Sequence, residues 1–170
     1  MMPTFPLVIA VLLTASAPAF FAATAEREGA RQPTPGAWFK GVYALSSPLA
    51  LSDSTVFTLT LRIANEADTA ALDATIAVLP SPESYAGPQI EDPEAEELTV
   101  SVFDPVDLPG SSSAVFSKPL VAPADQYERW QSGEPLRVSI TFVDSFGNRR
   151  RQHVEVSLRS TAEEVLGQGF

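Results

Sequence analysis

The chain has 170 residues, a formal net charge of −10 and no cysteine. Without cysteine, the chain forms no disulfide, has no thiolate nucleophile and carries no cysteine-linked lipid anchor. The acidic balance disfavours nucleic-acid binding, which depends on neutralising phosphates, and it disfavours attraction to anionic membrane surfaces. We therefore expect no nucleic-acid partner.

The first 25 residues carry no charged side chain. Leu7–Leu13 is an apolar run, and the spacing of Ala23 and Ala25 is one that signal peptidase accepts. The pattern predicts a signal peptide over 1–25, with cleavage after Ala19 as the second choice, and hence a periplasmic or secreted protein. The lack of Lys or Arg before the apolar run leaves a retained membrane anchor open. No later segment is apolar enough to span a bilayer, which needs about 20 residues.

The remaining chain divides by composition into three parts. Residues 26–36 are polar and contain Gly and Pro, which predicts a disordered leader. Residues 37–159 hold the alternating apolar patterns and are long enough for a single domain with its own core. Residues 160–170 are expected to be a polar C-terminal tail.

Strict alternation of apolar and polar residues predicts most of the strands. Val56–Ile63 alternates over its whole length, and after a polar turn Leu72, Ala74, Ile76 and Val78 alternate as a second strand. Further strands are predicted at 38–45, 98–102, 114–121, 136–142 and 154–158, with a hairpin loop at 144–148. A single short helix is predicted over 123–132, ending at Gly133. The pattern predicts an all-β antiparallel sandwich of about seven strands with one helical connection.

Three short motifs resemble bacterial immunoglobulin-like domains of the CARDB and DUF11 kind. Leu61–Asn65 followed by 70–80 resembles their V-x-N-x-G … A-x-x-V-x-V-x-L-P signature. Leu108–Phe116 is similar to their P-G-x-S-x-x-x-F, and 140–148 to their final Y-x-D-x-x-G-N hairpin. The resemblance implies an immunoglobulin-like sandwich that serves as a spacer, adhesion or binding module, with no catalytic residues to carry over. Because the family's turn glycine is replaced here, we expect Asn65 to hold a positive φ.

His153 is the only histidine of the chain. It is either a base or metal ligand, or a solvated residue on the outer face of the last strand beside Glu155. One histidine without cysteine disfavours a transition-metal site, so we expect no cofactor. A catalytic triad would require a serine and an acid beside His153, and no G-x-S-x-G motif is present.

The acidic run at 91–97 offers a weak Ca²⁺ alternative through Glu91, Asp92 and Glu94, because Ca²⁺ takes six to eight oxygen ligands. The run lacks the alternating spacing that wraps an ion. Charge runs usually repel one another and stay solvated, so the other interpretation is an exposed mobile loop.

Arg149–Arg151 is the one basic cluster, and alternation places Arg149 and Arg151 on one face and Arg150 on the other. Arg149 and Arg151 are candidates for binding an anion or an acidic partner. The alternative is a hairpin end protected by charge against strand addition.

Two aromatic groups are candidate platforms for a sugar or a protein partner. Tyr127 and Trp130 lie in a connecting segment, where binding residues are common. Trp38, Phe39 and Tyr43 form the second group, and core packing is the alternative for both.

These observations favour an exported, non-catalytic binding or structural module that acts through contacts with a protein partner in the envelope or outside the cell. The first alternative is a carbohydrate-binding module that uses Tyr127 and Trp130 on a polysaccharide. The second is a secreted hydrolase. The sequence predicts no enzyme activity.

Overall fold

The computed structural model describes residues 38–81 and 91–167. The predicted signal peptide at 1–25 and the leader at 26–36 lie outside the described residues. The described residues form nine strands and two helices. In chain order these are β1 (Phe39–Leu45), β2 (Leu49–Ala50), β3 (Ser54–Asn65), β4 (Ala71–Val78), β5 (Ser101–Val102), β6 (Val106–Leu108), β7 (Ser112–Pro123), α1 (Ala124–Gln131), β8 (Leu136–Val143), β9 (Arg149–Leu158) and α2 (Ala162–Gly167).

The strands form one curled, mixed sheet with the backbone order β2-β3-β1-β9-β8-β4-β5. Strand β7 pairs with β3 along the whole length of β3, and β6 pairs with β4. The prediction of a mostly β fold is confirmed, and the predicted antiparallel arrangement is wrong at one strand pair. Strand β1 pairs in parallel with β9, through Val42 with Ser157 and Tyr43 with Leu158.

The sheet curls around one apolar core. Phe39 of β1 and Phe142 of β8 meet edge to face, with ring centroids 5.2 Å apart, although β9 lies between their strands in the sheet. The predicted alternation is confirmed in β3 and β8, where every second side chain is buried. These inward residues are Phe57, Leu59, Leu61, Ile63, Leu136, Val138, Ile140 and Phe142.

The predicted alternation of β4 fails near the start of the strand. Its pairing with β8 shifts between Leu72 and Thr75, and Asp73 holds a φ of 50°. The irregularity turns Ala71 into the core and leaves Leu72 44% exposed. The predicted inward position of Leu72 is therefore wrong, because an extra residue in a strand exchanges the two faces.

Of the strand predicted at 98–102, only the two residues of β5 are observed as a strand. Leu98 is 56% exposed, while Phe103, just after the strand, is buried against Phe116 of β7 with ring centroids 5.3 Å apart. Strand β7 continues through Pro119. It tolerates this proline because, among the described strands, β7 pairs with β3 alone and forms an edge.

Helix α1 confirms the predicted helix and its end. Gly133 has a φ of 103°, its N–H donates to the carbonyl of Trp130, and the N–H of Glu134 donates to the carbonyl of Arg129. This pair of bonds satisfies the last carbonyls of the helix, and the positive φ suits glycine.

The segment predicted as a polar tail differs from the prediction over its described part. Residues 162–167 form helix α2, which contacts β1 and β3, and Val165 is fully buried. Ala44 and Thr60, paired partners on the outward face of β1 and β3, are also buried. We conclude that α2 covers this outer face of the sheet.

Two ends of the domain are used below. The loop end holds Trp38 and the turns at 66–70, 109–111 and 144–148, because β1 and β9 begin there and β3 ends there. The helix end holds α1, which follows the last residue of β7.

Candidate functional site

The acidic run and the basic cluster meet in the folded protein. The guanidinium of Arg151 donates from Nη2 to the carbonyls of Pro93 and Ala95, at 3.2 and 2.9 Å. Arg149 Nε lies 3.7 Å from Glu94 Oε1. We call residues 91–97 the acidic segment. Its side chains at 91, 92, 94 and 96 are exposed, as the interpretation of a solvated loop predicted, and Arg149 and Arg151 hold its backbone and Glu94 against the sheet.

The sheet face beneath the acidic segment is polar and carries small side chains next to long ones. Strand register places Thr141 opposite Arg151 and Ser139 opposite His153. Directly paired residues point to the same side of a sheet. The long side chains of Arg151 and His153 can therefore reach over their small neighbours to the acidic segment.

His153 is on the outer face, as predicted, but it is not solvated. Its Nε2 lies 2.7 Å from Glu97 Oε1, and the two side chains are only 12% and 9% exposed. The predicted neighbour Glu155 is not its hydrogen-bond partner. Arg149, Arg151 and His153 of β9 therefore all contact the acidic segment. We call these three residues and their contacts the clasp.

The clasp contains the residue types of a catalytic triad but lacks the access that such chemistry needs. Ser139, which register places opposite His153, is only 3% exposed. His153 Nε2 is already engaged by Glu97. A nucleophile must reach a substrate carbonyl, and Ser139 lacks the exposure to do so.

The described part of the chain does not support the Ca²⁺ alternative either. Asp92 Oδ1 accepts a hydrogen bond from the N–H of Glu94 at 2.9 Å, and Glu94 faces Arg149. Over 38–81 and 91–167, no group of three or more His, Asp or Glu side chains is placed to hold a metal ion. Glu91, Asp92 and Glu94 are thus not assembled as a ligand set.

Arg150 points away from the clasp, as alternation predicted, and joins the hairpin loop. Its Nε lies 3.1 Å from Asp144 Oδ2, and Asp144 Oδ1 accepts the N–H groups of Phe146 and Asn148, each at 2.9 Å. These donors, chiefly the N–H of Asn148, lower the pKa of Asp144 although partial burial opposes them. Gly147 has a φ of 80°, which confirms the predicted glycine turn.

The hairpin loop presents an aromatic side chain that the sequence interpretation did not select. Phe146 is 69% exposed, although its N–H is fixed by Asp144. Trp38, at the same end, is 62% exposed, and its carbonyl accepts the N–H of Glu66 at 2.7 Å. An apolar residue at the tip of a predicted hairpin is the signal that would have identified Phe146, since loop tips point to solvent.

Tyr127 and Trp130, the selected aromatic pair, lie in the core. They are 3% and 1% exposed and pack on Phe57, with ring centroids 4.9 and 6.2 Å away. Tyr127 donates from its hydroxyl to the carbonyl of Ser46, and burial raises its pKa. The prediction that this pair forms a binding platform is wrong, because neither ring has a face open to a sugar.

Tyr43 and Phe39 of the second aromatic group are also buried, and only Trp38 remains available. The Tyr43 hydroxyl lies 3.0 Å from the carbonyl of Trp130 and 2.7 Å from that of Glu134. Burial first, and the charge of Glu134 second, raise the pKa of Tyr43. This tyrosine ties β1 to the helix end.

The loop end is held by polar contacts. Asn65 is buried, with a negative φ contrary to expectation, and its Nδ2 donates to the carbonyls of Thr69 and Leu108 at 2.7 and 3.1 Å. A Cβ on Gly110 would overlap the carbonyl oxygen of Asp68, so this glycine permits a close approach of two turns. The amide of Asn65 thus joins the turn at 66–70 to the end of β6.

No helix in the described ranges is long and apolar enough to cross a membrane. No family model matches the chain, and no curated protein matches it.

Similar solved structures are distant. The structural-genomics target SoR45 is 14% identical, with a TM-score of 0.39, over 78% of this chain and 92% of that one. A GH20 exo-β-N-acetylglucosaminidase from Vibrio harveyi is 12% identical with a TM-score of 0.39, over 72% of this chain and 18% of the enzyme. A β-glucosidase from intestinal bacteria is 8% identical with a TM-score of 0.32. The chain is similar to these structures at a level that assigns it to no family.

Proposed function

We propose that the protein is an exported, non-catalytic module with an immunoglobulin-like sandwich fold, and that it binds a protein partner at its loop end. Export is supported by the uncharged stretch at 1–25 with its small residues at Ala23 and Ala25. The sandwich is supported by the regular alternation of β3 and β8 and by the single core inside the curled sheet.

The exposure of Phe146 on a hydrogen-bonded turn carries the proposal. A large apolar ring, 69% exposed, stands on a loop whose backbone is fixed by the Asp144 carboxylate. Rigid aromatic anchors supply most of the energy of many protein interfaces, because they bury much apolar area with little loss of entropy. Trp38 adds a second exposed aromatic ring at the same end.

The non-catalytic assignment is supported by the clasp. The Nε2 of His153, the only histidine, contacts the carboxylate of Glu97, and Ser139 is buried. The carbohydrate alternative rested on Tyr127 and Trp130, whose burial removes its support.

A site-specific photo-crosslinker in place of Phe146 tests the proposal in the full chain, expressed in its native cell. We expect a discrete crosslinked protein from position 146 but not from Val121, a control on β7 that is similarly exposed at 61%. Phe146→Ala should weaken binding of that purified partner by at least about tenfold, while Val121→Ala should not. Identical crosslinking from both positions, or an unchanged affinity of Phe146→Ala, would overturn the proposal.

A further inference from the structure

A polar pocket lies on the outer face of the sheet, next to the loop end. It has a volume of about 380 Å³, and its described lining consists of Arg62, residues 64–66 and residues 111–113. Strand register explains its position, because Ala64 of β3 pairs with Lys40 of β1 and with Ser113 of β7. Small-molecule sites occupy about 300–1,000 Å³. The pocket is therefore large enough for a small ligand, and it shares no residue with the clasp on β9.

Ala64 forms the floor of this pocket. Its short side chain is 5% exposed, whereas Arg62 and Glu66, two residues away on either side, carry long side chains that also line the pocket. Residues at this spacing along a strand point to the same face of the sheet. One basic and one acidic side chain therefore stand on either side of a small apolar floor.

The charged groups of the pocket are held in place by their neighbours. Arg62 donates from Nε and Nη2 to the hydroxyl oxygen of Ser113, at 3.1 and 3.0 Å. Lys40 Nζ lies 2.9 and 2.8 Å from the two carboxylate oxygens of Glu66. Groups that are fixed before a ligand arrives lose less conformational freedom when it binds. The pocket is thus preorganised for a ligand that bonds to these side chains.

The exposed ring of Trp38 stands beside this pocket. The N–H of Glu66 donates to the carbonyl of Trp38 at 2.7 Å, which continues the pairing of β1 with β3 by one residue pair. Paired residues point to the same side of a sheet, with Cβ atoms about 4.5–5.5 Å apart. Because Glu66 lines the pocket, an indole that is 62% exposed borders it on the side of β1.

These residue types favour a neutral ligand that is rich in hydroxyl groups. A carboxylate accepts hydrogen bonds, a guanidinium donates them, and a serine hydroxyl does both. An anion would be repelled by Glu66, and a cation would be repelled by Arg62 and Lys40, so the mixed charges select against both. The negative face of an aromatic ring attracts C–H groups. A pyranose ring offers hydroxyl groups at its rim and C–H groups on its face.

From this we infer that the pocket binds a neutral sugar, with a pyranose ring packed on Trp38 and its hydroxyl groups bonded to Glu66 and Ser113. Ser113 acts as the acceptor in its two bonds with Arg62, so its O–H can donate to a sugar oxygen. Phe146 does not line the pocket. The sugar site is therefore a second binding function, separate from the proposed contact with a protein partner.

A glycan array probed with the full-length protein tests the inference. The array carries neutral oligosaccharides of glucose, galactose, mannose and N-acetylglucosamine, together with sulfated forms of the same oligosaccharides. We expect binding to neutral members, and the strongest of them is then titrated in solution by calorimetry. Trp38→Ala should weaken that binding at least about fivefold, because it removes the packed ring. Glu66→Gln should weaken it at least about threefold, because it removes a charge-assisted hydrogen bond.

The control is Leu49→Ala, on a side chain that is similarly exposed at 66% but lies on β2, which pairs with the other end of β3. It should leave the affinity for the sugar unchanged. Melting temperatures identify any variant that loses binding because it no longer folds.

Four results would overturn the inference. These are no binding of any neutral oligosaccharide at concentrations up to about 10 mM, an unchanged affinity of Trp38→Ala or of Glu66→Gln, equal losses in Trp38→Ala and Leu49→Ala, and binding of the sulfated forms alone. The last result would assign the pocket to an anion held by Arg62 and Lys40. None of them affects crosslinking from position 146, so the proposed function stands or fails separately.

Discussion

Each end of the domain holds one tryptophan, and the two differ in their exposure to solvent. At the helix end Trp130 is 1% exposed, and at the loop end Trp38 is 62% exposed. Trp130 lies in the connection between β7 and β8, whereas Trp38 directly precedes the first strand. Position in a connection therefore does not by itself place a ring on the surface.

The difference lies in how each end is closed. The helix end is closed by apolar side chains, because α1 turns Tyr127 and Trp130 onto Phe57. The loop end is closed by hydrogen bonds, through the side chains of Asn65 and Asp144. An end whose backbone groups are satisfied by polar contacts needs no aromatic ring to close it, so its rings stay exposed.

The largest expected effect on stability comes from removing the buried tryptophan ring at the helix end. Trp130→Ala should lower the free energy of unfolding by about 3–5 kcal/mol, since it opens a cavity in a packed core. Trp38→Ala should change it by no more than about 0.5 kcal/mol, as expected for an exposed site. Urea denaturation followed by circular dichroism measures both. A smaller loss for Trp130→Ala than for Trp38→Ala would break the contrast between the ends.

The next effect concerns the glycines of the two ends. Gly110→Ala at the loop end should cost about 2–3 kcal/mol, because its Cβ would overlap the backbone of Asp68, which cannot rotate away. Gly133→Ala at the helix end has nothing within 4 Å and should cost about 1–2 kcal/mol, from its positive φ alone. The same urea experiment ranks them, and the reverse order would show that the turns at the loop end are not tightly joined.

The smallest effect is the pH dependence of the hairpin. The pKa of Asp144 is lowered in the folded state, so its stabilisation is present above the unfolded pKa, about 3.9, and is lost as pH falls through the folded pKa. Asp144→Asn should be less stable than wild type at neutral pH, and the gap should narrow in acid. Thermal melts across that range measure the gap. Asp125→Asn at the helix end removes only an exposed pair with Arg129 and should change little at any pH. A gap for Asp144→Asn that is constant with pH would contradict the role of its carboxylate.

Much of the strand layout follows from local pattern. The alternation of Val56–Ile63 and Leu136–Phe142 predicted β3 and β8 together with their buried faces. Gly133 and Gly147 marked a helix end and a turn through their own backbone requirements. Leu72 was misplaced because the shift in β4 depends on its partner strand, which local alternation does not report.

The candidate site was predicted as separate pieces. The sequence singled out the acidic run, Arg149, Arg151 and His153, each with its own interpretation. Only the pairing of β8 with β9, and the return of the chain from 91 to 97 across them, places these pieces together. Contacts such as His153 to Glu97 join residues 56 positions apart, and sequence spacing carries no information about them.

The sequence by itself determined the β-rich class, the strongest strands, the helix end and the charged groups, because these depend on periodicity, backbone freedom and residue type. The tertiary structure alone decided that Tyr127 and Trp130 are core, that Trp38 and Phe146 face solvent, and that the acidic segment is clasped. The physical reason is that burial and charge pairing are properties of neighbours in space. The neighbours of a helix that closes a core, or of a loop that crosses a sheet, are fixed only when the strands have paired.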